Sequence, residues 1–143
     1  MSEVVKVFGG MALAAPVETI DGQIVAKANN YMAVPDASAP GGRRIIKNDK
    51  VRAYEKSFAE QCRKYAGKMI CKPFELVVTV FYKSQVYDLD NSLKTLLDCL
   101  QYVKAITDDK LCIRISADKR IDPYRPRVEF ALITTPPERG LFD

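Results

Sequence analysis

The segment between residues 74 and 103 constrains the fold more than any other, because a strand pattern gives way there to a helix pattern. Phe74–Tyr82 is rich in β-branched and aromatic residues and predicts a strand. Residues 90–103 predict a helix, because their apolar side chains recur at helical spacing. That apolar stripe consists of Leu93, Leu96, Leu97, Leu100 and Val103. A strand followed by such a helix favours a sheet with helices packed on it.

A second helix is predicted upstream of this segment. Asn48 suits the N-cap position, and Gly67 suits the end of the helix. Arg43–Lys47 predicts a short strand that leads into this helix. The apolar residues of the helix recur at helical spacing and are Val51, Tyr54, Phe58, Cys62 and Tyr65.

Further strands are predicted near both ends of the chain. Residues 16–27 predict a strand with a turn at Asp21-Gly22. Residues 111–117 and Arg127–Thr134 predict two more strands, which a proline-containing connection joins. Residues 29–42 predict a loop, because they are rich in Ala, Pro, Asn and Gly.

This order of elements predicts an α+β (α/β) fold, a single domain in which two main helices pack on a mixed β-sheet. The 143 residues suffice for one domain with a sizeable core. We expect the domain to span residues 17–135, with residues 1–16 as a tail or edge segment and residues 136–143 as a C-terminal tail. No apolar run approaches transmembrane length, and the leading apolar segment lacks the basic start of a signal peptide. We therefore expect a cytoplasmic protein.

Positive charge is concentrated in one part of the chain. Residues 43–72 contain ten Lys or Arg and three acidic residues, a net charge of +7, whereas the remainder carries −3. Such a block beside a carboxylate cluster favours a protein that holds a polyanion. The alternative is a solvated basic helix face, and charge alone does not decide between the two.

The chain has no histidine, and its four cysteines show no C-x-x-C spacing. These facts exclude the usual zinc sites, Cys-His nucleophiles and a histidine general base. We expect reduced thiols in an intracellular protein, with Cys62 and Cys112 in the core because both fall on apolar segments.

Carboxylates are grouped at the start of the helix predicted at residues 90–103. Asp88 and Asp90 can both reach one cation if the backbone at Asp88 is extended. The helix face turned away from the apolar stripe carries Asp90, Asn91, Lys94 and Asp98. Mg²⁺ takes oxygen ligands and binds through one or two carboxylates together with substrate phosphates, so the pattern indicates metal-dependent phosphate chemistry. The alternative is that Asp88 or Asp90 only caps the helix and that the other polar side chains decorate a solvated surface.

A second acidic pair, Asp108-Asp109, follows the same helix and directly precedes the strand predicted at residues 111–117. A helix of this length spans roughly 21 Å, so the pair lies far from Asp88 along the helix. A strand that runs back along the sheet could still bring Asp109 beside Asp88. The alternative is an ordinary turn.

Taken together, these residues resemble the RusA family of Holliday junction resolvases. The matching run is D-L-D-N-x-x-K-x-x-x-D from Asp88 to Asp98, with Asp108-Asp109 before a strand and a basic pair, Lys119-Arg120, beyond. Upstream, Asn29-Asn30-Tyr31 resembles the N-terminal Asn/Tyr loop of that family, and the likeness covers roughly residues 17–134. The sequence departs from the family at residues 24–28, where Ile-Val-Ala-Lys-Ala stands in place of a proline-rich opening.

The resemblance implies a homodimeric, Mg²⁺-dependent (or Mn²⁺-dependent) endonuclease that resolves four-way DNA junctions by paired symmetric nicks in recombination and repair. It implies no membrane and no small-molecule cofactor, and it suggests a bacterial, phage or prophage source. The implied catalytic and metal-binding carboxylates are Asp88, Asp90 and Asp109, and the implied catalytic lysine is Lys94. The implied supporting residues are Asn91, Asp98 and Asp108. The expected DNA contacts are Asn29, Asn30, Arg43, Arg44, Lys47, Lys50, Arg52, Lys119 and Arg120.

Two other functions remain open. The first is a metal-dependent nuclease that acts on flaps, replication forks or RNA, because a metal site does not encode branch geometry. The second is a non-catalytic protein that binds branched DNA through its basic residues. One observation argues against the second function: the chain has all of Asp88, Asp90, Lys94 and Asp109. A protein without catalytic activity would gain nothing from carboxylates that repel one another.

Overall fold

The computed structural model describes residues 3–8, 11–26, 31–47 and 49–134, which form eight strands and two helices. The helices are α1 (Asp49–Gln61) and α2 (Leu89–Tyr102), and short 3₁₀ turns cover Pro40–Gly42 and Asp109–Leu111. The strands are β1 (Glu3–Phe8), β2 (Met11–Pro16), β3 (Glu18–Asp21), β4 (Tyr31–Pro35), β5 (Arg43–Lys47), β6 (Phe74–Tyr82), β7 (Cys112–Ile121) and β8 (Arg127–Thr134).

The main sheet is mixed and has the strand order β3-β8-β6-β7. The central strand β6 pairs antiparallel with β8 and parallel with β7, while β3 pairs antiparallel with the outer edge of β8. A parallel pair requires a crossover, and α2 lies in the connection between β6 and β7. Two helices with one mixed sheet confirm the predicted α+β class.

Both helices pack on one face of this sheet and enclose the main core. Phe58 of α1 and Leu96 of α2 are fully buried in that core, as is Val80 of β6. The ring of Phe58 stacks on Phe130 of β8, with 5.9 Å between ring centroids and 14° between ring planes. Burial of each such side chain stabilises the fold by roughly 1.5–3 kcal/mol.

The opposite face of the sheet is partly covered by a hairpin in which β1 pairs antiparallel with β2. Val4 and Ala15 of the hairpin pack against Ala131 and Ile133 of β8 in a second, smaller core. Tyr65 connects this region to the main core, because its hydroxyl donates to the Pro16 carbonyl and accepts from the Leu132 amide, 3.2 Å away. The hairpin lies in the segment expected as a tail or edge segment.

Two element boundaries differ from the predictions because of tertiary contacts. Helix α1 ends at Gln61 rather than near Gly67, since the Lys64 amide donates to the buried Glu18 carboxylate (2.6 Å) instead of a helix carbonyl. Strand β7 continues to Ile121 rather than ending at residue 117, because its full length pairs with β6. The predicted cap Asn48 lies outside the described residues.

Two predictions upstream of α1 are wrong in part. Residues 29–42 are not a plain loop, because β4 within them pairs antiparallel with β5. The strand predicted over residues 16–27 is confirmed only for β3, after which Gly22 turns the chain with φ +110°. The β5 strand is confirmed with its predicted bounds.

All four cysteines are free, and their burial differs. Cys62 and Cys99 are buried, Cys112 is half-buried, and Cys71 is exposed, so the core placement is confirmed for Cys62 and only partly for Cys112. Burial, together with the nearby Glu18 carboxylate, raises the pKa of the Cys62 thiol to about 12. Among the described residues, no helix is long and apolar enough to cross a membrane.

Candidate active site

Asp88 and Asp90 lie where the loop after β6 enters α2. Asp88 directly precedes the helix and has extended backbone angles (φ −95°, ψ 130°), as the two-carboxylate hypothesis requires. Asp90 lies in the first helical turn, and both side chains are exposed. The helix N-terminus carries partial positive charge, which favours two neighbouring carboxylates at this position.

Helix capping does not account for Asp88. The residue occupies the N-cap position of α2, but its side chain makes no capping hydrogen bond in the described part of the chain. Its carboxylate is therefore available to a ligand, and the capping alternative is wrong for this residue.

The backbone at Asp88 is held from inside the protein. The hydroxyls of Tyr82 and Ser92 form a hydrogen bond with each other at 2.5 Å, in which either can be the donor. The hydroxyl that accepts this bond can donate its own proton to the Asp88 carbonyl oxygen, which lies 3.3 Å from both hydroxyl oxygens. Both hydroxyl-bearing residues are buried, and burial raises the pKa of Tyr82. The ring of Tyr87 stacks on that of Tyr82, with 5.5 Å between centroids and 5° between planes. The loop of residues 83–88, here called the acidic loop, therefore packs on the rings and hydroxyls of a buried cluster that includes Tyr82 and Ser92.

The remaining residues of the D-x-D-N-x-x-K-x-x-x-D run follow along α2. Asn91 is half-buried in the first turn, and Lys94 is exposed about one turn further on, roughly 6 Å from Asp90 along the axis. Asp98 is half-buried and lies roughly 12 Å from Asp90 along the same axis. Lys94 can thus serve the same site as Asp90, whereas Asp98 lies two turns away.

Asp109 lies at the other end of the molecule from Asp88. Strand β7 runs parallel to β6, and Cys112 pairs with Phe74, so Asp109 precedes β7 where β6 begins. Asp88 follows the end of β6, and the nine residues of that strand span roughly 27 Å. Within the ranges that the structure describes, no group of three His, Cys, Asp or Glu side chains could hold a metal. The expectation that a returning strand brings Asp109 beside Asp88 is wrong for a single chain.

Asp108 has a local structural role. One of its carboxylate oxygens accepts the Lys110 amide (2.9 Å) and thereby caps the short 3₁₀ turn before β7. That backbone hydrogen bond is the main cause that lowers the pKa of Asp108. The turn interpretation therefore holds for Asp108.

Most of the expected DNA contacts are surface residues. In the described part of the chain, six of the nine are exposed: Arg43, Arg44, Lys50, Arg52, Lys119 and Arg120. Lys47 lies in β5, between Arg44 and Lys50 along the chain. Arg44 forms an ion pair with Asp36 at 3.2 Å. Asn29 and Asn30 lie outside the described residues, but the chain that leads to them is tied to α2, because Thr95 Oγ1 donates to the Val25 carbonyl (2.8 Å).

The expected basic pair Lys119-Arg120 does not form one patch. Lys119 pairs with Val80 and faces the helix side of the sheet, where its ammonium donates to the carbonyls of Gln85 and Tyr87. Arg120 faces the opposite side and lines a cavity of about 320 Å³ near the β1–β2 hairpin. A second cavity, of about 430 Å³, lies near β2 and β8. Asp88 and Asp90 line neither of these cavities, and both side chains are exposed, so a polymer can reach them.

The family model described as Endodeoxyribonuclease RusA matches residues 21–133. The chain belongs to the RusA family. No curated protein matches the chain. The RusA match contains the two helices, the strands β6, β7 and nearly all of β8, and the loop that carries Asp88. It leaves out the β1–β2 hairpin and all of β3 except Asp21. As a member of a family of endodeoxyribonucleases, the protein is a nuclease, a hydrolase that acts on phosphodiester bonds.

Sequence reasoning missed the residues that support the acidic loop of this RusA domain. Tyr82 was recognised only as a strand residue, and Ser92 was not singled out. A signal was present for Ser92, since a small hydroxyl residue stands on the apolar side of α2 in its first turn. Lys119 was interpreted from its charge alone, and only the parallel register with β6 shows that it faces the loop.

Proposed function

We propose that this RusA-family nuclease resolves four-way DNA junctions, as a homodimer, by Mg²⁺-dependent hydrolysis that makes paired symmetric nicks. The observation that carries the proposal is the carboxylate of Asp88, which is exposed, makes no capping hydrogen bond among the described residues and lies close in sequence to the exposed carboxylate of Asp90. Both belong to a domain of an endodeoxyribonuclease family. The setting is DNA recombination and repair in the cytoplasm of a bacterial or phage-infected cell.

The donor set at the start of α2 fits a hard cation. Asp88 and Asp90 offer carboxylate oxygens, and Mg²⁺ commonly binds one or two carboxylates and completes its shell with water and substrate phosphate. These two residues would hold Mg²⁺ or Mn²⁺. When bound, the cation would lower the pKa of a water molecule and polarise the scissile phosphate.

Lys94 is suited to the phosphate itself. Its exposed ammonium lies one helical turn from Asp90, on the face of α2 that points away from the core. There it would hold the scissile phosphate and stabilise the negative charge that develops during hydrolysis.

A site that contains all three predicted carboxylates requires two chains. Asp109 lies at the opposite end of β6 from Asp88, so one protomer cannot bring them together without unfolding the sheet. A two-fold dimer can place Asp109 of one protomer beside Asp88 and Asp90 of the other, and the same symmetry then creates a second, identical site. Two such sites account for paired nicks. The alternative is a cation held by Asp88 and Asp90 alone within each chain.

DNA would be bound through phosphates, not bases. The exposed residues Arg43, Arg44, Lys50 and Arg52 belong to a segment with a net charge of +7, and each phosphate contact makes binding more sensitive to salt. Selectivity for a junction would come from the shape of branched DNA across two protomers.

Asp90→Asn is the variant that tests the nuclease site. The substitution keeps the side-chain volume and removes the charge, so we expect cleavage of an end-labelled four-way junction to be abolished while junction binding is kept or becomes tighter. The matched control is Asp49→Asn, which makes the same change in the exposed first turn of α1 and should cleave at the wild-type rate.

The outcomes separate the candidate functions. Cleavage retained by Asp90→Asn would refute the site. Wild-type cleavage of flaps, forks or RNA in preference to junctions would favour the alternative nuclease. Tight junction binding by the wild type without any cleavage would favour a non-catalytic binder.

A further inference from the structure

The side chain of Lys119 is bound to the loop that carries Asp88. Its ammonium donates hydrogen bonds to the carbonyl oxygens of Gln85 (3.0 Å) and Tyr87 (2.5 Å). It also lies 5.6 Å from the centroid of the Tyr82 ring, a favourable position for a cation. An ammonium has three N–H donors, so two of the three are used within the protein.

The register of the sheet explains this reach. Lys119 pairs with Val80, two residues before β6 ends, and its side chain leaves the sheet on the face that packs against the helices. The loop of residues 83–88 leaves the adjacent strand β6 at the same end. A long lysine side chain on β7 can therefore cross the end of β6 and meet the loop carbonyls.

These contacts complete a clamp around Asp88. The Tyr87 carbonyl, which accepts from Lys119, belongs to the peptide before Asp88. The Asp88 carbonyl, which accepts from the hydrogen-bonded pair of Tyr82 and Ser92 hydroxyls, belongs to the peptide after it. Both peptide groups that flank Asp88 thus have hydrogen-bond partners, while its carboxylate is exposed and makes no capping hydrogen bond within the described ranges. A carboxylate whose backbone is held in this way is preorganised to bind a cation.

We propose that Lys119 is a positioning residue for cleavage, which orients Asp88 through the loop carbonyls and is not a phosphate contact. Hydrogen bonds from a charged donor are stronger than neutral ones, and a phosphate contact would compete with two of them. The inference depends on the proposed function because it takes Asp88 to be part of the nuclease site.

Three variants test the role. Lys119→Met removes the donors and keeps most of the length, Lys119→Arg restores donors and charge, and Lys104→Met is a control that removes an exposed lysine just after the other end of α2. Four quantities are measured for each: the single-turnover cleavage rate at saturating Mg²⁺, the junction Kd and its salt dependence in EDTA, the affinity for Mn²⁺ by calorimetry, and hydrogen exchange of residues 83–88.

For Lys119→Met we expect cleavage to slow by about 10- to 100-fold, because a displacement of about 1 Å in a reacting group has effects of that size. We also expect weaker Mn²⁺ binding and faster hydrogen exchange in the loop, with a junction Kd and salt dependence equal to those of Lys104→Met. Lys119→Arg should recover much of the cleavage rate and of the exchange protection.

The proposal is overturned if Lys119→Met weakens junction binding with a shallower salt dependence while Mn²⁺ affinity and loop exchange stay unchanged. Lys119 would then be a phosphate contact. Failure of the proposed function is distinguishable, because the wild type would then not cleave junctions at all. Loop exchange and Mn²⁺ binding would still report the positioning role without DNA.

Discussion

The distance between Asp109 and the other two carboxylates leads to a complementation experiment between inactive variants. We expect Asp90→Asn and Asp109→Asn each to be inactive as homodimers, because each would lose a carboxylate from both sites. If each site takes Asp88 and Asp90 from one protomer and Asp109 from the other, a heterodimer of the two variants has one doubly damaged site and one intact site.

The size of the recovery follows from counting sites. Mixing equal amounts with free exchange of protomers makes half of the dimers heterodimers, and each has one working site of two, so about a quarter of wild-type sites return. A heterodimer isolated with two different affinity tags should contain half of the wild-type number of sites. It should nick one strand of a junction and leave the junction unresolved, because the second site is damaged.

The assay is single-turnover nicking of an end-labelled four-way junction. The matched control mixes Asp88→Asn with Asp90→Asn, which damages both sites in every heterodimer and should recover nothing. No recovery from the Asp90→Asn and Asp109→Asn mixture would contradict the two-chain site. Full activity of Asp109→Asn by itself would remove Asp109 from the site.

Two further predictions concern Lys94 and Cys62. Lys94→Ala should slow cleavage by about 100-fold, the effect typical of losing one group that stabilises transition-state charge; gel-shift titration should show a smaller change in junction affinity, and the reverse result would make Lys94 a phosphate contact. Because the folded state keeps the Cys62 thiol protonated to about pH 12 whereas the unfolded chain releases that proton near pH 9, the free energy of unfolding should fall as pH rises above 9. Urea unfolding at a series of pH values above 9 should show a shallower fall for Cys62→Ala, and an unchanged slope would contradict this cause.

Local sequence patterns predicted the central elements well for a physical reason. Phe74–Tyr82 is buried on the helix face and largely covered on the other, so its β-branched and aromatic content reflects its environment directly. The stripe of α2 was equally clear because one face of that helix meets the sheet. The stripe placed Asp90 and Lys94 correctly on the exposed side, whereas Asn91 and Asp98 are half-buried. The buried face is turned toward Ser92, Thr95 and Cys99, and Leu93 and Leu97 of the predicted stripe are only half-buried.

What the sequence could not supply depended on contacts between distant residues. The end of α1 is set by Glu18, which lies far upstream, and the hairpin of β4 and β5 depends on pairing across a proline- and glycine-containing turn. The direction of β7 relative to β6 decided where Asp109 lies. A strand-helix-strand order favours a parallel pair, but only the tertiary structure shows that β7 is the neighbour of β6 and in which register the two strands pair. The role of Lys119 was hidden for the same reason.

The most direct test of the proposed function is a competition in one tube between labelled four-way junction, flap, fork and linear duplex, with Mg²⁺ and with EDTA. We expect the junction to be cleaved first, by two nicks placed symmetrically on opposing strands, and only when Mg²⁺ is present. Cleavage that favours a flap or fork, that leaves single unpaired nicks, or that persists in EDTA would contradict a Mg²⁺-dependent junction resolvase.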